Sequence, residues 1–390
     1  MRFRSGWMLA ACLLELSAAR VWATDGVVQI NQTRALAGGV TPGDAAGFPV
    51  TISQPGSYRL VGNLTVPDAN TTAIQITGGA GNVTIDLNGF SINGVTVCTG
   101  EPNACGLGWC GLTCAPTGTG NGIRSVGLGP NNSVTILNGT VAGMGSDGIS
   151  LGDNPSVRIE NVQAQRNGGS GIYINGYAPS CLVSHCIATH NNGNGIGSGS
   201  ACVISLNSVG SNNADGIWAG GAGTVVSNTS SRNSQNGITV DGIPSATVSD
   251  NMAVDNVGIG IAVNVGSAVI RGNSANQNQT GIWVGDVDAS VSNNVARANQ
   301  SNGIELAGND TVVSNVATEN GGNGISQDGD NGVMLQNSAA QNAGFGLQLG
   351  MRTGYALNVV NDNNGDDSQP QVSGGIEVGT NVCGGDKVCP

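Results

Sequence analysis

The chain has 390 residues, of which 65 are glycine and 3% are aromatic, and it carries a formal net charge of −12. Glycine shows no three-residue period and hydrophobic residues reach 39%, which excludes a collagen-like or disordered chain. Since a compact globule of this length needs large side chains to fill its core, the composition favours a solenoid, whose narrow interior takes small and β-branched residues.

The first 23 residues have the pattern of a secretory signal peptide. A basic start is followed by an apolar stretch at 8–19, too short to span a bilayer, and by Val-Trp-Ala at 21–23, a small-x-small cleavage site. A lipoprotein box ending at Cys12 is the alternative, but the apolar run continues past that cysteine, which favours cleavage after Ala23. We therefore expect a secreted, periplasmic or cell-surface protein without a transmembrane span.

The charge balance narrows the class of partner. Removal of residues 1–23 takes away three of the 13 basic residues and one of the 25 acidic residues, which leaves a net charge of −14. An acidic surface whose only lysine is Lys387 disfavours binding to nucleic acid and to anionic membranes. Cations, with Ca²⁺ as the candidate cofactor, and ligands held by neutral contacts fit better.

The cysteines downstream of the signal segment predict disulfides, because export leads to an oxidising compartment. Cys181 and Cys202 are about one repeat apart, so stacked coils would bring them within bonding distance. Cys383 and Cys389 could staple the C-terminus. Cys186 is then left unpaired, and we expect it to be buried.

Four further cysteines crowd one segment, which we interpret as a protruding cysteine-rich loop at 98–119. Two bridges among them would staple this loop, with the pairing left open. A zinc site is the alternative, but no histidine lies nearby and export disfavours it, so the staple is preferred. The four are Cys98, Cys105, Cys110 and Cys114.

The region before the repeats predicts an N-terminal cap. Residues 24–80 contain short strand-like runs separated by proline and glycine turns, and we expect a cap with an irregular first coil there. A solenoid needs such a cap because its first coil exposes unpaired backbone groups. Residues 83–92 alternate apolar and polar side chains and form the first clear strand.

A Gly-Ile phrase then recurs about every 22 residues. Glycine precedes the apolar residue each time, which suggests either a positive φ or a close backbone approach before a strand. Asn or Asp often precedes that glycine, as in turns. The apolar residues are Ile123, Ile149, Ile172, Ile196, Ile217, Ile238, Ile261, Ile282, Ile304, Ile325 and Leu347.

Two rows of asparagine run in phase with this phrase and predict ladders in which stacked side chains bond one another and the turn backbone. The first is Asn138, Asn161, Asn207, Asn228, Asn251, Asn273, Asn294, Asn315 and Asn337, with His185 in the slot between Asn161 and Asn207. The second is Asn167, Asn191, Asn212, Asn233, Asn256, Asn278, Asn299, Asn320 and Asn342.

These patterns predict an all-β chain, a single right-handed parallel β-helix of about a dozen coils. Helices are disfavoured because no run has a 3.6-residue period and Gly and Asn are dense. Leucine-rich repeats are excluded because leucine is not the repeated residue, and a propeller because the period is too short. We expect the β-helix to span 81–362 and a C-terminal cap to occupy 363–390.

The ladders, the repeated Asn/Asp-Gly-Ile phrase and the strand at 82–89 (Asn-Val-Thr-Ile-Asp-Leu-Asn-Gly) resemble the right-handed parallel β-helix proteins of the pectate-lyase-like superfamily. More closely, the chain is similar to exported bacterial proteins with repeated PbH1 motifs, over roughly residues 80–362. The resemblance implies the fold. It leaves activity open, because the superfamily includes polysaccharide lyases, glycoside hydrolases, alginate epimerases and adhesins.

Motifs of two enzyme classes of this fold are missing. The chain has neither the clustered aspartates, Gly-His and Arg-x-Lys of pectin hydrolases nor the Asp-Pro-His of alginate epimerases. A lyase acting by β-elimination needs a group to neutralise the uronate, a base and often an acid. Arg158, Tyr173, His185 and His190 are the candidate catalytic residues. The structural alternative is that His185 completes the first ladder and His190 lies in a solvated turn.

The register of the phrase also predicts a binding face. If the isoleucine points inward, the next residue points outward, which places Tyr173, Trp218, Trp283 and Glu305 on one face. Coils rise ~4.8 Å each, so Tyr173 and Trp218 would be roughly 10 Å apart and the two tryptophans roughly 14 Å apart. Such aromatic platforms suit stacking on the sugar rings of an extended polysaccharide or cell-surface glycan. The alternative is isolated tryptophans packed on their neighbours.

Three aspartates, Asp241, Asp286 and Asp328, follow the same strands and could hold Ca²⁺ at the turns; solvated turn aspartates are the alternative.

A third class of function is a non-catalytic surface or adhesin-type rod, which the regular coils favour. The preferred hypothesis is a polysaccharide-binding or polysaccharide-processing protein that uses the Gly-Ile face.

Overall fold

The structure is a computed structural model of the chain and describes residues 26–100, 111–152, 156–176, 180–199, 201–221, 223–242, 245–286, 288–365, 370–384 and 389. The predicted signal segment 1–23, including Cys12 and Ala23, lies outside the described residues, as do Cys105, Cys110 and Lys387.

The Gly-Ile phrases form one parallel sheet, here named the Gly-Ile sheet, with 14 strands in the described part of the chain. The repeated isoleucines pair with one another in register, for example Ile149 with Ile172 and Ile282 with Ile304. Its strands are Val50–Ile52, Ile74–Thr77, Ile123–Val126, Ile149–Leu151, Ile172–Ile174, Ile196–Ser198, Ile217–Gly220, Ile238–Asp241, Ile261–Asn264, Ile282–Val284, Ile304–Leu306, Ile325–Gln327, Leu347–Leu349 and Val372–Ser373.

A second sheet, here named the paired sheet, contributes two strands to most coils and has 27 described strands. The strands that come first in each coil are Val28–Ile30, Gly56–Leu60, Asn82–Asp86, Ser133–Ala142, Ser156–Gln165, Cys181–Ser184, Cys202–Ser205, Thr224–Val226, Thr247–Ser249, Val269–Arg271, Ser290–Ser292, Thr311–Val313, Val333–Leu335, Gly354–Ala356 and Ile376–Glu377. Those that come second are Leu64–Thr65, Ser91–Asn93, Ile187–Thr189, Ser208–Gly210, Thr229–Ser231, Met252–Val254, Ser274–Asn276, Val295–Arg297, Val316–Thr318, Ser338–Ala340, Val359–Asn361 and Val382–Cys383.

Stacking these coils encloses a narrow interior that holds the core. The Gly-Ile isoleucines are fully buried, as are Val and Ala from both strands of the paired sheet. The glycine before each isoleucine is required by close approach rather than by a positive φ, since a Cβ at Gly260 would lie 2.6 Å from the Nδ2 atom of Asn278 and 2.7 Å from the carbonyl oxygen of Gly281. The narrow interior explains why the repeats use small and β-branched residues, as predicted.

Both asparagine ladders are present, with one correction to the first. Cys186, not His185, precedes Asn207, because the N–H of Cys186 donates to Oδ1 of Asn207 at 2.9 Å. Asn138, Asn161 and His185 each stand one residue earlier, exposed and with φ between 55° and 59°, so they form a left-handed bend and not the ladder. The prediction placed them in the ladder because bend and ladder positions are adjacent in sequence.

The buried first ladder runs from Asn207 through Asn337 and continues to Asn358 and Asn381. The second runs as predicted and continues to Asn363, whose Nδ2 donates to Oε1 of Gln371 at 3.0 Å. In each rung the Nδ2 of one asparagine donates to the Oδ1 of the asparagine in the next coil. These rungs satisfy the polar groups at the two bends of the paired sheet.

The N-terminal end is closed by a short helix, Gln32–Ala37, which the sequence pattern did not predict. The Asn31 side chain caps it by accepting the N–H of Arg34, and Ala35 packs into the core beside Ile30. Two short strands, Val97–Thr99 and Thr113–Ala115, pair antiparallel at the base of the cysteine-rich loop. No described helix has the length and apolarity of a membrane span.

The disulfide predictions hold where the structure describes them. Cys181 pairs with Cys202 between adjacent coils, Cys383 pairs with Cys389, and Cys98 pairs with Cys114 across the base of the loop. Cys186 is a free, buried thiol as expected.

Candidate functional site

The outward residues of the Gly-Ile sheet form one continuous column, here named the aromatic face. Tyr173 pairs with Gly197, which pairs with Trp218, and Trp283 pairs with Glu305 one coil on. The predicted register of Tyr173, Trp218, Trp283 and Glu305 is therefore confirmed, and each of these side chains is half-buried. The coil count between them gives about 10 Å from Tyr173 to Trp218 and about 14 Å between the tryptophans.

Glycines allow the aromatic rings to lie down on the sheet. A Cβ at Gly285 would overlap the ring of Trp283, and a Cβ at Gly220 would lie 3.2 Å from Cη2 of Trp218. Tyr173 leans along the axis instead, since a Cβ at Gly197 in the next coil would lie 3.0 Å from its Cδ2 atom. Each of the three rings therefore lies close to a glycine of the Gly-Ile sheet.

A third polar row borders the aromatic face on the side where each coil enters the sheet. Where a residue of this row has a polar side chain, its oxygen commonly accepts the N–H of the equivalent residue in the next coil, as between Asp215 and the N–H of Asn236 at 2.9 Å. Ile259 interrupts the row. The amide nitrogens of two asparagines in this row point toward the aromatic face. Asn302 donates to Oε2 of Glu305 at 3.1 Å, and Asn236 donates to the hydroxyl of Thr239 at 3.1 Å.

Two carboxyl groups of this row have altered acidity. Burial raises the pKa of Asp215, while hydrogen bonds from the Thr239 hydroxyl and the Asn236 N–H act in the opposite direction. Burial likewise raises the pKa of Asp147, against hydrogen bonds from Ser170 and Ser150. These two residues stand three coils apart along the axis, which is about 14 Å, so they do not form a carboxylate pair.

The four candidate catalytic residues fall on different surfaces. Arg158 lies on the first strand of the paired sheet and makes an ion pair with Glu160 at 2.7 Å. His185 and His190 occupy the two left-handed bends of the paired sheet, with φ of 55° and 56°. Only Tyr173 is on the aromatic face. The structure therefore does not bring this set together.

The three candidate Ca²⁺ ligands lie separately along the exit edge of the Gly-Ile sheet. Asp241, Asp286 and Asp328 are exposed and belong to coils spaced two apart. Among the described residues, no group of three or more His, Cys, Asp or Glu side chains is placed to hold a metal ion. The described side chains thus offer separate carboxylates along this edge.

Sequence reasoning missed the third polar row and the glycines beneath the rings. Both had a signal. For the polar row, the signal is the Asn or Asp before the repeated glycine, which indicates a row of stacked side chains as well as a turn. For the glycines, the signal is the shared pattern Trp-x-Gly at Trp218 and Trp283, which places the glycine on the same side of the strand as the ring.

The comparison with protein families settles what kind of chain this is. The model described as the right-handed beta helix region matches residues 124–289 and 196–343, which together span more than half of the 390 residues. The chain belongs to the right-handed β-helix family. The predicted fold class, including its handedness and its PbH1-type repeat, is confirmed, with 14 coils in place of about a dozen.

This β-helix protein is similar to several solved structures. The A-module of the Azotobacter vinelandii mannuronan C-5 epimerase AlgE6 matches with a TM-score of 0.51 at 15% identity, covering 86% of this chain and 91% of that chain. The periplasmic alginate epimerase AlgG matches with a TM-score of 0.41 at 14% identity, covering 78% and 76%. The Dettilon tailspike protein matches with a TM-score of 0.41 at 18% identity, covering 84% and 60%. A search of curated proteins finds no significant match.

Proposed function

We propose that this β-helix protein binds an extended polysaccharide along the aromatic face. The observation that carries the proposal is the in-register column in which Tyr173, Trp218 and Trp283 recur every two or three coils, each ring close to a glycine of the sheet. A polymer running parallel to the axis would stack sugar rings on successive platforms.

The groups beside the platforms suit this ligand. Thr239 and Glu305 stand on the face and are oriented by Asn236 and Asn302, so hydroxyl and carboxylate oxygens are held where sugar hydroxyls would lie. A few oriented polar groups beside apolar contact area are typical of ligand sites. The mannuronan epimerase module supports the proposal only as an analogy of fold, since its likeness to this chain is architectural.

The proposed setting is outside the cytoplasm. Three disulfides among the described cysteines fit an oxidising compartment, because cytosolic thiols are kept reduced. The signal segment predicted at 1–23 would direct export.

The test replaces the two tryptophans of the aromatic face with alanine. Trp218→Ala combined with Trp283→Ala is expected to weaken polysaccharide binding by roughly tenfold or more, as for truncated aromatic anchors. Binding is measured by affinity electrophoresis and titration against a glycan panel. The control, Met252→Ala with Val295→Ala, removes exposed apolar side chains from the paired sheet and should leave binding unchanged. Equal binding by the double tryptophan variant and the native protein would refute the proposal.

Lyase activity is a separate hypothesis. It is tested on the same panel by the ultraviolet absorbance of unsaturated uronates. Loss of any detected activity in His190→Ala or Tyr173→Ala would favour it, and unchanged activity in both would remove those residues from it.

A further inference from the structure

The track between the aromatic platforms carries no charge. Six successive coils place Tyr173, Gly197, Trp218, Thr239, Ala262 and Trp283 outward on the Gly-Ile sheet. The residues between the rings are small, and Gly197 and Ala262 are buried. A ligand on this track meets aromatic faces, a hydroxyl and short apolar groups.

Basic side chains lie on the other sheet. The described arginines around these coils all belong to the paired sheet or its bends: Arg158, Arg166, Arg232, Arg271 and Arg297. Arg297 makes an ion pair with Glu319 at 2.8 Å, and Arg232 lies 3.7 Å from Asp255. Arg124 is on the aromatic face but two coils before Tyr173, at the N-terminal end of the track.

Carboxylates follow the track along its exit edge. Asp241 and Asp286 border the track, and Asp328 lies two coils beyond Trp283. All three are exposed and recur every second coil, which spaces them about 10 Å apart. That spacing is close to the Debye length of about 10 Å at 0.1 M salt, so their potentials overlap along the edge. Glu305 adds a further carboxylate on the face itself.

We infer that the polysaccharide taken by the aromatic face is uncharged, and that polyuronates and other polyanions are rejected. This inference rests on the proposed function. The uncharged track provides stacking and hydroxyl contacts, whereas the carboxylate edge repels a negatively charged polymer, and like charges facing each other across an interface disfavour binding.

The experiment compares polymers that share a β-1,4-linked backbone and differ in charge. Hydroxyethyl cellulose is neutral, carboxymethyl cellulose is anionic and chitosan is cationic. A second pair, fully methyl-esterified polygalacturonate and the free acid, repeats the comparison on another backbone. Tryptophan fluorescence is followed at 50 and 500 mM NaCl, once with EDTA and once with added Ca²⁺. The neutral member of at least one series is expected to bind roughly tenfold or more tightly than its anionic counterpart at low salt, and the gap should narrow at high salt.

A charge variant provides the matched control. Asp241→Asn with Asp286→Asn and Asp328→Asn should strengthen binding of the anionic polymers severalfold and leave the neutral polymers unchanged. Tighter binding of a polyanion by the native protein, in particular binding lost in Arg124→Gln or dependent on added Ca²⁺, would overturn the inference. Preference for chitosan with a steep salt dependence would also overturn it.

The outcomes separate this inference from the proposed function. If a polyanion binds best and that binding is lost in the double tryptophan variant, the aromatic face stands and the charge inference fails. If no polymer of either series or of the glycan panel binds, the proposed function fails, and the inference fails with it.

Discussion

The buried polar residues differ in how completely they are satisfied. Asn299 is saturated, since its Oδ1 accepts from the N–H and Nδ2 of Asn278 while its Nδ2 donates to Ala275 and Asn320. Asp310 contrasts with it. This carboxyl is fully buried, its Oδ1 accepts the N–H of Ala289 at 2.8 Å, and its Oδ2 has no hydrogen-bond partner among the described residues. Asp310 therefore replaces a small apolar residue of earlier coils at a cost in stability.

The burial of Asp310 predicts that the stability of the native state depends on pH. Burial, followed by the charges of Asp288 and Asp286, raises the pKa of Asp310 to about 6 against the N–H groups of Ala289 and Gly308. The native state thus holds the proton more tightly than the unfolded chain, and the stability that Asp310 contributes when protonated is present at pH 4 and lost as pH rises through about 6.

Asp310→Asn should remove this dependence. The free energy of unfolding of the variant, minus that of the native protein, should be larger at pH 8 than at pH 4.5 by about 2 kcal/mol. Denaturant unfolding at both pH values measures it. Asp250→Asn, at an exposed bend three coils earlier, serves as the control. The same difference at both pH values for Asp310→Asn would contradict the prediction.

At the scale of the coil, three polar rows and one row of close-packed glycines set the register. The two asparagine ladders satisfy the bends of the paired sheet, and the third row orients groups beside the aromatic face. Because side chains alternate along a strand, a glycine two residues after a tryptophan leaves the space into which its ring folds. The position of each tryptophan ring is thus decided within a single strand of three or four residues.

Gly285→Ala tests this local geometry. The added methyl group would overlap the Trp283 ring and lift it from the sheet, so polysaccharide affinity should fall severalfold, with a change in tryptophan emission. The control is Gly152→Ala, because no atom lies within 4 Å of a Cβ at that position. Unchanged affinity and emission in Gly285→Ala would show that the ring does not depend on this glycine.

At the scale of the whole molecule, each coil packs mainly on its two neighbours, so links between coils stabilise the solenoid locally. Cys181 and Cys202 join adjacent coils at paired positions of the paired sheet. The helix Gln32–Ala37 covers one end, where the first coil would otherwise expose its backbone.

Removing the inter-coil disulfide should lower stability measurably. Cys181→Ala with Cys202→Ala is expected to cost about 3 kcal/mol in chain entropy, against about 2 kcal/mol for Cys383→Ala with Cys389→Ala, whose loop is shorter. Thermal unfolding under oxidising conditions measures both. Equal melting temperatures for the native protein and the first variant would contradict this expectation.

The repeated Gly-Ile phrase was enough to predict the fold and the column of residues on the aromatic face. Its phrase repeats with the period of one coil, and strand alternation then decides which residue points outward, so Tyr173, Trp218, Trp283 and Glu305 could be placed without coordinates. The same logic predicted the disulfide between Cys181 and Cys202, because one repeat separates stacked positions.

Which of two adjacent residues at a bend points into the interior became clear only from the packing of the coils. His185 and Cys186 are adjacent in sequence, but the left-handed conformation of His185 turns it to solvent and leaves Cys186 at the head of the first ladder. The same bends separate Arg158, His185, His190 and Tyr173 onto different surfaces. A repeat period specifies register along the axis, but side-chain direction at a bend depends on local φ and on contacts between coils, which no single repeat contains.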